Sequence, residues 1–592
     1  MRTKVMSILG ILVCAVAMTI SGKAQTDSGV PQLQKKGNAT QLIVDGKPFL
    51  VLSGELMNNA GTSLENMDHI WPLLVHGNLN TVLIGVSWAQ TEPEEGKFDF
   101  SRVDGLIAKA RENNLHVIFL WFAAWKNATS SYPPYWMKKD YVRFPRIQIN
   151  DGQTVSVSGP VELLSTFGDA TRDAESKAFG ALMAHIKEVD GAQHTVLMIQ
   201  VENEMGVLRD TRDRSPAANR AYAGQVPTEL MNYMLAHKGH LIPEFEAVWA
   251  ANGYKTSGTW EQVFGPGKPA DVVIPIKTTS PPIGVLEQEN TWQDLHWPSD
   301  EFFMAWNYAR YMEKVIEAGK AGYNIPMFVN GWEQQPGMPW PGTYPSGGPL
   351  PQVHDVWRAG APSVDIFAPD LYLPYFDEIC ARWIRNGNPL YMPESPSRPA
   401  NAIMDVGKFN GIGMSVMGIE KGGGMGGDVG PSPELAATYG MLNNLAPLIL
   451  AHQGDDTMTA VRMKDGDPHM KVKLGSYTLD LTYTGRIDFV PPGPKDQPIP
   501  PQPPGQPSLE AAAVFISTGP DEFYIGGGGM RVEFAANTPG PPNVGLGDVE
   551  EGRFVDGHWK VNRVRSGDDT AEGEILILHP DTILHLTLYR FP

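Results

Sequence analysis

Cysteine is scarce in this sequence. The 592 residues contain two cysteines, Cys14 and Cys380. Cys14 falls within an apolar N-terminal run that we expect to be removed, which leaves Cys380 without an internal disulfide partner. An exported protein without a disulfide must take its stability from a large hydrophobic core, and a chain of this length can build one.

Long apolar runs are also scarce, and the one at the N-terminus is short. A basic start precedes apolar residues 6–20, and small residues follow at 21–24. This pattern is typical of a secretory signal peptide over residues 1–24, and it predicts a periplasmic or extracellular protein. The apolar run is shorter than the roughly 20 residues that span a bilayer, so we expect no membrane span.

Positive charge is low, and several functional motifs are missing. The chain has 47 Lys and Arg against 66 Asp and Glu, a formal net charge of −19. Nucleic-acid binding needs clustered positive charge, so we expect no nucleic-acid partner. The 14 histidines form no His-x-x-x-His motif, and we expect neither a catalytic metal nor a cofactor. The Gly-x-Ser-x-Gly turn of serine hydrolases is also missing.

Eight short apolar runs alternate with amphipathic segments between residues 49 and 420. Each run is nearly continuous in apolar residues, as expected of strands buried on both faces. This alternation predicts an α/β fold, a (β/α)8 TIM barrel, over residues 25–440. An open doubly wound sheet is the alternative, but no Gly-rich phosphate turn follows the first run. The eight runs are 49–54, 80–88, 115–125, 194–204, 325–332, 364–372, 389–395 and 412–420.

Residues 441–592 have a different pattern. Short runs with alternating polarity, such as "YTLDLTY" and "MRVEFAA", predict antiparallel strands. We therefore expect an all-β C-terminal sandwich domain. The proline-rich residues 490–507 predict an extended loop within this domain.

Carboxylates stand at the ends of two predicted barrel strands. Glu204 ends the fourth run, in "MIQVENEMG", and Glu394 ends the seventh. The C-terminal ends of barrel strands converge on one mouth, so these two residues are predicted to meet. Two carboxyls about 5–5.5 Å apart perform retaining glycoside hydrolysis, one as the nucleophile and the other as the acid and then the base. Burial and a charged neighbour are expected to raise the pKa of the acid.

Three further stretches extend this pattern. "GKPFLVLSGE", "WAQTEPEEGKFDFS" and "IQVENEMG" together resemble glycoside hydrolase family 35, the β-galactosidases, over residues 40–210. The "MPESP" around Glu394 is similar to the bacterial branch of that family, which carries a β-rich C-terminal domain, and somewhat to family 42. The resemblance implies that Glu204 is the acid/base and Glu394 the nucleophile. It also implies that Asn203 holds the sugar 2-hydroxyl and that Tyr372 orients the nucleophile.

The sequence departs from the family in two strands. Eukaryote-type members have Cys-Ala-Glu-Trp at the end of the third strand, whereas this chain has Ala124 in place of that glutamate. The tyrosine of the second strand is replaced by Gly85. Galactose specificity therefore stays open, and Lys126 or Asn127 is a candidate for the missing contacts.

Several neighbouring residues have competing interpretations. Glu202 points to the opposite side of its strand from Asn203, which favours a structural role. Glu55 either contacts the sugar or hydrogen-bonds within the barrel rim. The candidates for stacking on a sugar face are tryptophans at strand ends, since aromatic rings offer large apolar faces. They are Trp88, Trp125 and Trp332.

These observations together predict an exported retaining exo-β-glycosidase that acts on a carbohydrate. The favoured activity is that of a β-galactosidase that removes terminal β-galactose from plant-type oligo- or polysaccharides. An arabinopyranosidase, a glucosaminidase or an endo-glycanase is the alternative among enzymes. A non-catalytic carbohydrate-binding barrel is disfavoured because a binding protein needs neither Glu204 nor Glu394. The sequence leaves open whether the protein forms a homo-oligomer.

Overall fold

A small antiparallel sheet precedes the main domain. The computed structural model describes residues 29–149, 162–269, 272, 274, 295–334, 340–424, 426–485 and 510–592. The sheet's strands are β1 (Gln32–Lys36), β2 (Ala39–Val44) and β3 (Lys47–Phe49), in the order β1-β2-β3. The predicted signal peptide and the proline-rich loop at 490–507 lie outside the described residues.

Seven parallel strands form the central sheet, in the order β10-β4-β5-β6-β7-β8-β9. Each coincides with one of the eight predicted runs, which confirms the α/β barrel class. Their bounds are β4 (Val51–Glu55), β5 (Thr81–Ser87), β6 (His116–Lys126), β7 (Val196–Asn203), β8 (Met327–Trp332), β9 (Ile366–Asp370) and β10 (Gly413–Met417).

The seventh predicted run, residues 389–395, closes the barrel without forming a regular strand. Parallel bridges join Glu394 to Asp370 of β9 and Met392 to Met414 of β10. Pro393 within this segment lacks the N–H group that a regular ladder needs. We call residues 390–395 the seam segment, because they join the two edges of the seven-stranded sheet.

Helices follow the strands and cover the outside of the barrel. Two of the amphipathic segments between the runs, residues 100–114 and 301–322, coincide with the fourth and eleventh helices. The helices of this domain are α1 (Leu64–Met67), α2 (Ile70–His76), α3 (Trp88–Thr91), α4 (Ser101–Glu112), α5 (Tyr135–Lys138), α6 (Asp169–Asp190), α7 (Pro216–Tyr222), α8 (Thr228–Ala236), α9 (Pro243–Ala251), α10 (Trp260–Phe264), α11 (Pro298–Gly322), α12 (His354–Gly360), α13 (Phe376–Trp383) and α14 (Pro399–Lys408).

Side chains of the barrel strands are buried on both faces, as the sequence predicted. Along β6, Leu120 and Phe122 belong to the cluster inside the barrel, whereas Phe119 and Trp121 pack outward with the helices. Leu42 of β2 also belongs to the inner cluster. The small N-terminal sheet therefore closes the end of the barrel that lies opposite the strand C-termini.

The C-terminal region is a β-sandwich joined to the barrel by a long helix. That helix, α15 (Pro433–His452), begins after Ser432, whose side chain accepts the Leu435 N–H. It extends across the boundary predicted between the two domains, at residues 440 and 441. The Tyr439 hydroxyl donates to the Ser53 carbonyl of β4 at 2.8 Å, which fastens the helix to the barrel.

Two antiparallel sheets make the sandwich, in the orders β11-β14-β15-β20-β17-β18 and β12-β13-β16-β19. Side chains such as Leu479, Phe515 and Leu586 fill the space between them. The strands are β11 (Met458–Met463), β12 (Met470–Leu474), β13 (Tyr477–Tyr483), β14 (Ala511–Gly519), β15 (Glu522–Gly528), β16 (Met530–Ala536), β17 (Asn543–Val555), β18 (His558–Val564), β19 (Leu576–Leu578) and β20 (Ile583–Phe591). Within the described part of the chain, none of the helices has the length and apolar character of a membrane span.

We expect Asn388→Ala to destabilise the barrel at its seam. The Asn388 side chain accepts from the Phe367 N–H at 3.1 Å and donates to the Phe367 carbonyl at 2.8 Å. Alanine leaves both backbone groups of β9 unpaired, which reduces the free energy of unfolding by about 2 kcal/mol. Urea unfolding followed by circular dichroism measures this change. Asn307→Ala is the control, because its amide only adds to a helical carbonyl of α11, and an equal loss there would contradict the interpretation.

Candidate active site

Three carboxyl groups meet at the C-terminal mouth of the barrel. Glu204 follows β7, Asp370 ends β9, and Glu394 lies in the seam segment. One carboxyl oxygen of each lies within 4.8 Å of the other two. All three side chains are buried. The two predicted catalytic glutamates therefore come together as the barrel model required, with a third carboxyl beside them.

Hydrogen-bond donors and a cation surround Glu394. The Tyr372 hydroxyl donates to its Oε2 at 2.8 Å, and the Asn203 amide donates to its Oε1 at 3.1 Å. The Lys126 ammonium lies 3.9 Å from Oε1. Burial and then the Glu394 charge raise the pKa of Tyr372 far above its ordinary value, so the hydroxyl keeps its proton and donates it. This setting stabilises an oriented carboxylate.

Glu204 has the opposite setting. Burial, followed by the charge of Glu394, raises its pKa to about 7, against a lowering effect of Lys126. Its backbone has φ of 44°, and its N–H donates to the Asn330 Oδ1 of β8 at 3.0 Å. A carboxyl that is still protonated near neutral pH and lies beside an oriented carboxylate can act as a general acid.

The position of Lys126 depends on Glu202. The Glu202 carboxylate accepts the backbone N–H groups of Ala123, Ala124 and Trp125 at 3.2, 2.6 and 2.8 Å. The pairing of β6 with β7 shifts register over this stretch and resumes where Lys126 pairs with Asn203. Glu202 thus stabilises an irregular end of β6 that brings the ammonium to the mouth, which agrees with the structural role predicted for it.

Glu202 shares a buried site with a second carboxyl, Glu175 of α6. Burial, then the charge of Glu175, raises the pKa of Glu202 well above its ordinary value. The pKa of Glu175 rises to about 7, chiefly through burial. The Tyr311 hydroxyl donates to Glu175 at 2.7 Å. This pair lies on the helix side of β6 and β7 and supports the mouth from behind.

Glu55 is wholly buried at the end of β4. Among the described residues, neither of its carboxyl oxygens has a hydrogen-bond partner. Burial and then the Glu394 charge raise its pKa well above the ordinary value, while Lys126 opposes the rise. An ionised buried carboxyl without a partner is unfavourable, so the protonated form of Glu55 is favoured. Its unpartnered oxygens are available to hydrogen-bond a polar ligand.

Two of the three predicted stacking tryptophans are core residues, and we correct their assignment. Trp88 is fully buried and donates its indole N–H to Glu92 at 2.7 Å. Trp125 is fully buried and donates to the Leu164 carbonyl at 3.0 Å. Each of the two indole rings contacts two other aromatic rings. Neither ring is placed to stack on a sugar.

The remaining predicted residues lie at the rim. Trp332 is half-buried at the end of β8 and pairs with Asp370 across the sheet. Asn127 is exposed with φ of 52°, and its N–H donates to the Asn203 carbonyl at 3.2 Å.

Sequence reasoning missed Asp370 and Asn330. Asp370 lies in "FAPDLY", at the end of a predicted strand, which is the signal that could have found it. Asn330 lies inside its strand, two residues before the end of β8, and its side chain accepts from the Glu204 N–H and donates to Asp370. A lone asparagine within an apolar run gives no such signal.

Comparisons with known proteins agree with this geometry at the level of a broad class. A family model described as β-galactosidase, of glycoside hydrolase family 42, matches residues 63–331. This range includes Glu204 but stops short of Glu394. A second model, described as a domain of unknown function (DUF5597), matches residues 435–577. The resemblance to family 35 in particular is not confirmed by these matches.

Two curated relatives are named β-galactosidases. The chain is 29% identical to "Beta-galactosidase" of Xanthomonas manihotis over 209 residues, which cover 34% of this chain and 31% of the relative. It is 34% identical to "Beta-galactosidase 14" of Arabidopsis thaliana over 93 residues, 14% of this chain and 10% of the relative. The match thus spans less than a third of each relative's length.

Solved structures give distant likenesses. They include β-galactosidases of Rahnella sp. R3 (15% identity, 67% of this chain and 56% of that chain, TM-score 0.39) and Bacillus circulans sp. alkalophilus (14%, 68% and 57%, 0.42). The catalytic domain of a β-amylase from Paenibacillus polymyxa gives 12% identity, 66% and 96% coverage, and 0.41. The family match and the two curated relatives make this chain similar to β-galactosidases, which are glycoside hydrolases.

Proposed function

We propose that the protein is a retaining exo-β-glycosidase, specifically a β-galactosidase that removes terminal β-galactose from plant-type oligo- or polysaccharides. The observation that carries this proposal is the meeting of Glu204 and Glu394 at the barrel mouth in opposite electrostatic settings. One carboxyl oxygen of Glu204 lies within 4.8 Å of one of Glu394, which suits the short carboxyl separation of retaining enzymes rather than the wider one of inverting enzymes.

The reaction proceeds in two displacements. Glu394 attacks the anomeric carbon while the proton of Glu204 passes to the glycosidic oxygen, and the alcohol leaves. Glu204, now a carboxylate, then takes a proton from water as the water oxygen attacks the same carbon and releases Glu394. The configuration at this carbon is inverted twice and is therefore retained.

Unpartnered polar atoms support sugar recognition beside these two groups. The Asn203 Oδ1 has no partner among the described residues, although its amide nitrogen is bound to Glu394. This oxygen is free to accept the sugar 2-hydroxyl. Glu55 and Lys126 are proposed to contact other sugar hydroxyls. Trp332 and Asn127 at the rim are proposed to contact the sugar or the leaving group.

Export is also part of the proposal. It rests on the signal-like residues 1–24 and places the enzyme in the periplasm or outside the cell. Among enzymes, arabinopyranosidase, glucosaminidase and endo-glycanase activity are the competing outcomes of a substrate panel. In that panel, 4-nitrophenyl glycosides of these sugars test which terminal sugar is removed. The viscosity of an intact polysaccharide tests endo-glycanase activity.

Glu204→Ala is expected to reduce kcat/KM on 4-nitrophenyl β-galactoside by on the order of 10²–10⁴-fold, because general acid catalysis is lost. Glu394→Ala is expected to reduce it at least as much. Proton NMR of the first product of the unaltered enzyme should show the β-anomer. Glu95→Gln, an exposed pair with Arg143, is the control and should keep its activity. Release of the α-anomer, or near-normal activity in either alanine variant, would refute the mechanism.

On 4-nitrophenyl β-galactoside, the alkaline limb of the pH profile of kcat/KM should have a pKa of about 7. Glu204 must carry a proton to act as an acid, so activity is full below this pKa and falls as pH rises through it. The fall approaches tenfold per pH unit. A 2,4-dinitrophenyl leaving group needs little protonation, so its glycosylation step should show a weaker limb under single-turnover conditions. An identical limb for both leaving groups would assign the ionisation to another residue.

Tyr372→Phe is expected to lower kcat by about tenfold, since it removes the neutral donor that orients the nucleophile. KM for the aryl galactoside should change less than kcat. Steady-state kinetics measures both constants. Tyr135→Phe is the matched control, because that tyrosine is 75% exposed. Equal effects of the two substitutions would contradict the role of Tyr372.

A further inference from the structure

The two-step mechanism leaves the Asp370 carboxyl without a task. Asp370 ends β9, between β8 and the seam segment, and is 2% exposed. One of its oxygens lies within 4.8 Å of both Glu204 and Glu394. A third buried carboxyl at this distance is unfavourable in its ionised form unless it is paired, and the repulsion is relieved when it is protonated.

Asn330 fixes the orientation of the Asp370 carboxyl. The backbone N–H of Glu204 can only donate, so the Asn330 atom that it meets at 3.0 Å is the amide oxygen. The amide nitrogen of Asn330 therefore donates to Asp370 Oδ2 at 2.7 Å. Oδ2 is thus an acceptor, and a protonated Asp370 carries its hydrogen on Oδ1.

The charges around Asp370 favour that protonated form. Glu394 and Glu204 face it from the two sides, Glu55 from β4, and Lys126 from β6. Lys126 balances one carboxylate, and Glu394 lies nearest to it. Burial, then the charges of Glu394 and Glu204, raise the pKa of Asp370 well above its ordinary value. Asp370 Oδ1 is buried and has no hydrogen-bond partner among the described residues. Two carboxylates cannot hydrogen-bond to each other, so a hydrogen bond from Oδ1 to Glu204 requires this proton.

We infer that neutral Asp370 is a positioning residue whose Oδ1–H donates a hydrogen bond to the Glu204 carboxylate as that group gives its proton to the leaving oxygen. The inference rests on the proposed function, since it gives Glu204 the acid/base role. Asp370 keeps its own proton throughout; the transferred proton is that of Glu204. The bond stabilises ionised Glu204 and aims it at the water of the second step.

Two substitutions separate this role from simple charge repulsion. Asp370→Asn retains a donor, because Asn330 fixes the new amide oxygen and leaves the new amide nitrogen towards Glu204. Asp370→Ala removes the donor. In kcat/KM profiles on 4-nitrophenyl β-galactoside, alanine should raise the alkaline pKa by about one unit. Asparagine should hold it within about 0.3 units of the parent value.

A fall of the alkaline pKa in either variant overturns the inference. If Asp370 were ionised, asparagine would remove a negative charge and lower the alkaline pKa. An unchanged pKa in Asp370→Ala overturns it as well. Asp365→Asn is the control, because Asp365 lies at the other end of β9, where its side chain accepts from the Met327 N–H at 2.8 Å. This substitution should lower the melting temperature without moving the alkaline pKa.

A spectroscopic readout covers the case in which the alanine variant does not fold. Carbon-13 NMR of the aspartate carboxyls should show a signal that stays protonated through pH 7 and disappears in Asp370→Asn, distinct from any signal of the buried Asp405. Its absence from the unaltered protein overturns the inference. Failure of the proposed function is distinguishable, since it would appear as full activity of Glu204→Ala.

Discussion

The site depends on one constraint: a single buried ammonium, that of Lys126, faces four buried carboxyls. Burial and then the Glu394 charge raise the pKa values of Glu55, Glu204 and Asp370, while the Lys126 charge opposes the rise. The pocket therefore favours one carboxylate and several neutral acids. The Lys126 ammonium lies 3.9 Å from Glu394 Oε1 and stabilises a negative charge there, whereas the raised pKa values of Glu55, Glu204 and Asp370 favour their protonated forms. The division of labour that we propose, with Glu394 as the nucleophile and Glu204 as the acid, follows from where the lysine is placed.

The fold places that lysine through a second buried acid. Glu202 gathers three backbone N–H groups at the end of β6, and the irregular strand end carries Lys126 to Glu394. On the other side of the mouth, Asn330 joins the Glu204 backbone to the Asp370 side chain. The Asp370 carboxyl is thus held by an amide of β8, and the Glu394 carboxyl by Asn203 of β7 and by Tyr372, which follows β9.

Much of the fold could be predicted from the sequence, because buried parallel strands leave continuous apolar runs and their ends converge. That Glu204 and Glu394 lie close together followed from that convergence. Trp88 and Trp125 were misplaced because a tryptophan near a strand end looks the same whether its ring turns to the mouth or to the helices. Asp370 and Asn330 were missed because their importance comes from contacts across strands far apart in sequence. The seam segment was recognised by its apolar pattern, but its irregular pairing depends on Pro393, whose effect appears only against β9 and β10.

The closed floor of the barrel has a kinetic consequence. Leu42 and its neighbours in the N-terminal sheet fill the end opposite the mouth, so the departing alcohol and the incoming water share the mouth under the proposed reaction. The covalent sugar on Glu394 then meets whatever hydroxyl arrives there first. In concentrated sugar solutions that acceptor is often another carbohydrate, and the protein would build glycosidic bonds by transglycosylation as well as break them.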